Sequence, residues 1–133
     1  MKIVNNGLGG GRCMVRLQEN RISKGMFRST IRMLIPLDKQ SDALEILASV
    51  SEQTRCNPSC INSRLYRGVE EIRAIMVDEL WTSKEEALRH LQSEEYRRVL
   101  LVVEMAEERP EIRFDTIVQS RGVEFIETAR SHP

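Results

Sequence analysis

Residues 73–90 read RAIMVDELWTSKEEALRH, and no other stretch constrains the fold as much. Alternating apolar positions make residues 72–81 a strand, and that strand ends in the only tryptophan, Trp81. Ser83 and Glu86 have the spacing of a capping box, so a short helix follows at once and runs through Leu91. It carries His90, one of two histidines in the chain. Glu79, Trp81 and His90 therefore meet at one strand-to-helix junction. Such a junction can line a pocket for a flat aromatic molecule. It can equally be a well-packed corner.

The neighbouring elements follow from the same periodicities. Residues 29–36 form a strand rich in Ile, Thr and Met, stopped by Pro36. Residues 39–56 form a helix with Ala43, Ile46, Leu47 and Val50 at helical spacing and Asp38 or Ser41 as its cap. Asn57-Pro58-Ser59 breaks that helix. Residues 60–67 are a second strand, turned at Gly68 to Glu71 into the strand at 72–81. Ser93 opens a further helix carrying Tyr96, Val99, Leu100 and Val103, and Pro110 ends the helical stretch. Residues 111–119 are the last strand, and a short element follows Gly122. The order β-α-β-β-α-β is the ferredoxin-like split βαβ plan of an α+β domain. It predicts a four-stranded antiparallel sheet with helices on one face and an open face that needs its own cover.

A length of 133 residues suits a single domain, and 41% hydrophobic with 30% charged residues is the balance of a soluble globular protein. Twenty basic and twenty acidic residues cancel, which leaves no basic field for nucleic acid and no polybasic patch for a membrane. No apolar run is long enough to span a bilayer, and the first residues lack the apolar centre of a signal peptide. Three cysteines without an export signal read as reduced thiols in a cytoplasm. Residues 1–25 stand apart, with Gly7, Gly9, Gly10 and Gly11 in a flexible tract. They are either an arm that packs on a partner or a non-native extension ahead of a start at Met26, and the domain proper is expected over 26–133.

Parity along each strand sorts side chains onto two faces. The helix-packed face is expected to hold Ile31, Met33 and Ile35, then Ile61, Ser63 and Leu65, then Ala74, Met76 and Leu80, then Ile112, Phe114, Thr116 and Val118. The opposite parity collects Arg32, Leu34, Asn62, Arg64, Tyr66, Ile75, Val77, Glu79, Trp81, Arg113, Asp115 and Ile117. A solvent face rarely spends Trp, Ile and Val, and a core face would not take Arg and Asp. The mixture fits a half-buried face that meets a second subunit and leaves a polar-tipped cavity. The alternative is an ion-pair network that seals a dimer and binds no ligand.

At these residues the chain resembles the antibiotic biosynthesis monooxygenase family, from about Met26 to about Gly122. Pro58-Ser59-Cys60, Arg64-Leu65-Tyr66-Arg67, Glu79-Leu80-Trp81, Ser83 to His90 and Ser93-Glu94-Glu95-Tyr96 carry the likeness. The resemblance implies a homodimer of ferredoxin-like subunits whose sheets face each other, with a pocket in each. It implies oxidation of phenols or quinols by O2, often without metal or flavin. The haem-degrading branch is similar in pairing a strand Trp with a helix His, here Trp81 and His90. It also uses an Asn on the first strand, and STIRMLIP at residues 29–36 has none.

Each candidate has a chemical and a structural reading. His90, with an ordinary pKa near neutrality, is a usable base, or else a half-exposed helix residue. Glu79 orients His90 or takes a proton itself, or else pairs with Arg64 or Arg113. Trp81 stacks on a flat substrate or simply packs. Tyr66 can hold a substrate oxygen or cap the interface, Arg32, Arg64 and Arg113 can hold a phenolate, and Asn62 and Asp115 complete the substrate-binding set. Cys56 and Cys60 lack the further ligands of a zinc site and are expected as buried thiols. The glycine tract has no preceding strand and no Lys-Ser/Thr ending, so it is no phosphate loop. The expectation is thus a domain with no cofactor and a small aromatic ligand. It is either a monooxygenase or a non-catalytic dimeric binding or interaction module.

Overall fold

The computed structural model describes residues 25–131. The expectations for residues 1–24 lie outside them. The elements are β1 (Met26–Leu34), α1 (Leu37–Arg55), β2 (Cys60–Arg67), β3 (Ala74–Trp81), α2 (Lys84–Leu91), α3 (Tyr96–Val103), β4 (Glu111–Ile117) and α4 (Val123–Ser131). The sheet order is β2-β3-β1-β4, and every neighbouring pair is antiparallel. This is the ferredoxin-like α+β arrangement expected from the element order.

Boundaries moved where local chemistry outweighed the pattern. α1 begins at Leu37, directly behind Pro36, whose φ of −52° is already helical. No side chain caps it, and Asp38 instead lies in its first turn, where a carboxylate favours the helix dipole. Gln40 donates to the carbonyls of Ile35 (3.3 Å) and Ile72 (2.7 Å), which ties this helix start to the β2–β3 turn. Ser83 caps α2 as expected, accepting from the Glu86 N–H at 3.3 Å. The box is one-sided, because the Glu86 carboxylate pairs with Arg89 at 3.0 Å. Gly68 closes the β2–β3 turn, where a Cβ would lie 2.3 Å from the Glu71 carbonyl oxygen. Replacing Gly68 with alanine is therefore expected to lower stability by about 1–3 kcal/mol, read from the urea midpoint.

The core is built by α1 and α3 on one sheet face. Ala43, Leu47 and Val50 of α1 and Tyr96, Val99 and Val102 of α3 pack on Ile31, Met33, Ile35, Leu65, Ile75 and Val77. Leu100, expected in the stripe, is half exposed. A second small cluster joins Phe27, Cys60, Trp81 and Ala87 under α2.

The expected faces need one major correction. Ile31 pairs with Val77, Met33 with Ile75, Ser29 with Glu79 and Phe27 with Trp81. Directly paired residues share a face. Ile75, Val77, Glu79 and Trp81 therefore lie under the helices, and Ala74, Met76, Asp78 and Leu80 on the open face. β3 is apolar in both parities, so its alternation alone does not choose, and register with β1 does. A bulge between Cys60 and Asn62 likewise puts Cys60, not Ile61, beside Trp81. On β4, Ile112 and Phe114 have the helix-side parity but are 51% and 46% exposed, because α3 does not reach them and α4 buries no residue.

Cys60 is buried outside any disulfide, and its thiol donates to the Asn62 carbonyl at 3.2 Å. Cys56 is exposed and disulfide-bonded, so the expectation of buried reduced thiols holds at Cys60 only. No helix among the described residues is long and apolar enough to cross a membrane.

Candidate functional site

The junction brings Glu79, Trp81 and His90 together, but beneath α2 and α3 rather than on the open face. Trp81 is the last residue of β3 and is fully buried. The short loop through Ser83 turns the chain into α2, which lays His90 back over the indole at a ring separation of 4.8 Å and a tilt of 36°. Glu79 precedes Trp81 by two residues and so projects from the same face. Its Oε1 lies 3.3 Å from His90 Nε2, with side chains 3% and 1% exposed. The separation is that of an ion pair, yet neither atom completes an aligned hydrogen bond. The contact is electrostatic. The expected pairing of Glu79 with Arg64 or Arg113 is replaced by this contact with His90.

Two further side chains enclose the imidazole. Tyr96 meets it edge-on at 5.2 Å and 79°. Glu95 places Oε1 3.5 Å from His90 Nδ1, with its side chain 32% exposed. Ser93 fixes both. Its hydroxyl donates to the His90 carbonyl at 2.6 Å and accepts from the Tyr96 N–H at 3.3 Å. His90 is therefore buried, not half-exposed as its sequence position suggested, because α3 folds back on α2 through this turn.

The sheet beneath the cluster is polar. Glu79 pairs laterally with Ser29 on β1 and Ser63 on β2, and both serines are buried. Ser63 shares a 2.9 Å hydroxyl contact with Ser51 of α1. Arg55 donates to the Ser51 hydroxyl at 3.1 Å and to the Ser63 carbonyl at 3.0 Å. Ser29, Ser63 and Glu95 were not singled out from the sequence. Pairing the serines with Glu79 needs the register. Glu95 needs the α2–α3 turn.

Burial, and after it the charge of Glu79, pushes the Tyr96 phenol up to about 12. Its folded value thus lies above that of the unfolded chain. The stabilisation is full below about pH 10, the ordinary tyrosine value, and is lost as the pH rises towards 12. Titration of the phenolate absorbance at 295 nm is expected to show a step near pH 12 that disappears in Tyr96→Phe.

The other sequence candidates lie across the sheet. Pairing rows place Arg64 with Asp78, Thr30 and Arg113, place Asn62 with Leu80, Arg28 and Asp115, and place Tyr66 with Met76, Arg32 and Glu111. All face away from the helices. Arg28 Nε meets Asp78 Oδ1 at 3.2 Å, and Arg32 meets Glu111 at 3.7 Å. Arg28 and Asp78 belong to this face and were not anticipated. A half-open hollow of about 350 Å³ lies at the β2–β3 end of it, lined by Arg32, Gly68, Glu71 and Met76 among others. The expected single site is thus two sets separated by the thickness of the sheet. Among the described residues, no group of three or more His, Cys, Asp and Glu is arranged to hold a metal.

Comparison with known proteins places these features. The family model for antibiotic biosynthesis monooxygenase matches residues 26–100, from the start of β1 into α3. A conserved protein of Methanosarcina mazei superposes with a TM-score of 0.65 at 19% identity, covering 71% of this chain and 94% of its own. A proposed antibiotic biosynthesis monooxygenase of Nitrosomonas europaea gives a TM-score of 0.66 at 14% identity, covering 81% and 100%. Another proposed one, from Caulobacter crescentus, gives 0.66 at 17% identity, covering 72% and 92%. At these identities the likeness is one of fold. No curated protein matches the chain.

Proposed function

The chain belongs to the antibiotic biosynthesis monooxygenase family, and from that premise we propose that it oxidises a phenolic or quinol-type aromatic with O2, using the buried Glu79–His90 pair as base. The reading assigns no cofactor. The observation that supports it is a concentration of unpaired polarity. Glu79 Oε1, His90 Nε2 and Trp81 Nε1 are all buried in one cluster without an aligned hydrogen-bond partner. Each such group costs about 1–3 kcal/mol. A substrate hydroxyl brought against this cluster, displacing the Glu79–His90 contact, would accept from the indole N–H and give its proton to His90 or Glu79. The substrate then supplies all four electrons that O2 requires. For a quinol, one oxygen atom ends on the ring of a hydroxyquinone and the other leaves as water.

In this proposal Trp81 and Tyr96 form the walls. Arg32, Arg64, Arg113, Tyr66, Asn62 and Asp115 take a different role, since the sheet stands between them and His90. They belong to the open face, where a second copy would cover Leu34, Met76 and Ile117 and meet these charges in a homodimer. Of the apolar set expected to lie uncovered, Ile75, Val77 and Trp81 are buried by the chain's own helices, and Ile117 alone stays on the open face. Sedimentation at micromolar concentration is expected to show a dimer that charge reversal at Asp115 weakens more than reversal at Glu104. A stable monomer would contradict the assignment. A cytoplasmic setting, expected from reduced thiols, keeps only Cys60 in its support.

One observation favours the second reading, a non-catalytic module. Trp81 and His90 are 0% and 4% exposed, as tightly enclosed as the apolar core. Oxygen uptake with a panel of quinols and polyphenols, measured beside quenching of Trp81 fluorescence, separates the two. Uptake matched by product is the outcome expected here. Quenching without uptake selects a binder, and neither response selects an architectural cluster.

A further inference from the structure

His90 bridges two carboxylates of unequal exposure. Glu79 on β3 is sealed at 3% side-chain exposure, and Glu95 at the start of α3 is 32% exposed. The imidazole presents Nε2 to the first at 3.3 Å and Nδ1 to the second at 3.5 Å. Tyr96 covers one edge. Trp81 covers a face. From α1, one guanidinium nitrogen of Arg55 donates to Ser51 and Ser63, and on α2 itself Arg89 pairs with Glu86.

We propose that Glu95 is the solvent-side station of a proton path that runs through His90 to Glu79. A buried acid–base pair needs such a path, because a proton taken up inside must reach water before the pair can act again. In the inward direction Glu95 Oε1 gives a proton to Nδ1 while Nε2 releases its own to Glu79 Oε1. One proton enters and one arrives, and His90 is left as the other tautomer. The reverse transfer restores it. Ser93 serves as a positioning residue, since its two hydrogen bonds set the spacing of His90, Glu95 and Tyr96. Glu95 contacts no reacting atom in this scheme.

The inference rests on the proposed oxidation only for the use made of the proton. The path itself is measured on the full chain without substrate, so failure of one leaves the other testable. The experiment is exchange of the His90 ring N–H with water, followed by NMR on protein labelled with 15N-histidine. Glu95→Gln is expected to slow it by about tenfold or more, the scale on which a positioned acid–base group acts. Glu94→Gln, at a neighbouring exposed carboxylate that pairs with Arg97, is expected to leave it unchanged. Glu95→Asp keeps the charge with a shorter reach and should fall between. An exchange rate equal to wild type in Glu95→Gln would overturn the proposal. So would rates that follow the melting temperature across all three variants, since exchange would then occur by unfolding.

Discussion

His90→Ala is expected to destabilise the domain by about 3–5 kcal/mol, the scale of a buried ionisable group left without its partner. The cause is Glu79, whose side chain is 3% exposed and would lose its 3.3 Å contact with the imidazole. The substitution also removes the ring contacts with Trp81 and Tyr96 at 4.8 and 5.2 Å. Sequence position alone points to a loss well below 1 kcal/mol, as at an exposed helix flank. Denaturant unfolding of wild type and His90→Ala measures the difference. A midpoint shift of the size typical of a surface site would mean that Glu79 is already neutral or finds another partner.

Glu79→Gln is expected to act on rate instead. Glutamine keeps the shape of the side chain and removes the charge that makes Glu79 and His90 an acid–base pair. Loss of a positioned base typically lowers turnover about 10²–10⁴-fold. Stability should change less than in His90→Ala, because no unpaired charge is left in the interior. His90→Gln in the Glu79→Gln background should then add little further loss of turnover, since groups that act as a unit are not additive. If each substitution lowered turnover independently, the two residues would not be one base.

The order of elements was legible because each carries its own punctuation: Pro36, Asn57-Pro58-Ser59, Gly68, Ser83 and Pro110. The cluster of Glu79, Trp81 and His90 was legible for the same reason, since a capped helix directly after a strand must return its side chains to the strand's end. What could not be read was the side of the sheet. In AIMVDELW the two parities hold Ala74, Met76 and Leu80 against Ile75, Val77 and Trp81, and hydrophobicity does not separate them. Pairing with Ile31 and Met33 does, and pairing is a long-range fact. The same shift carried Glu79 and Trp81 away from Arg64, Arg113 and Tyr66. The exposure of Ile112 and Phe114 was hidden too, because alternation shows which face a residue takes but not whether a helix lies over it.

In the proposed function the buried Glu79–His90 pair performs the chemistry. Its most direct measurement is the rate of O2 uptake per folded molecule, wild type against Glu79→Gln, on a quinol that the wild-type protein consumes. The folded fraction of each is fixed by a thermal melt. A fall of about 10²–10⁴-fold with the melt nearly unmoved is the predicted result. A melt that moves while uptake per folded molecule stays constant would contradict the claim and leave the cluster as architecture.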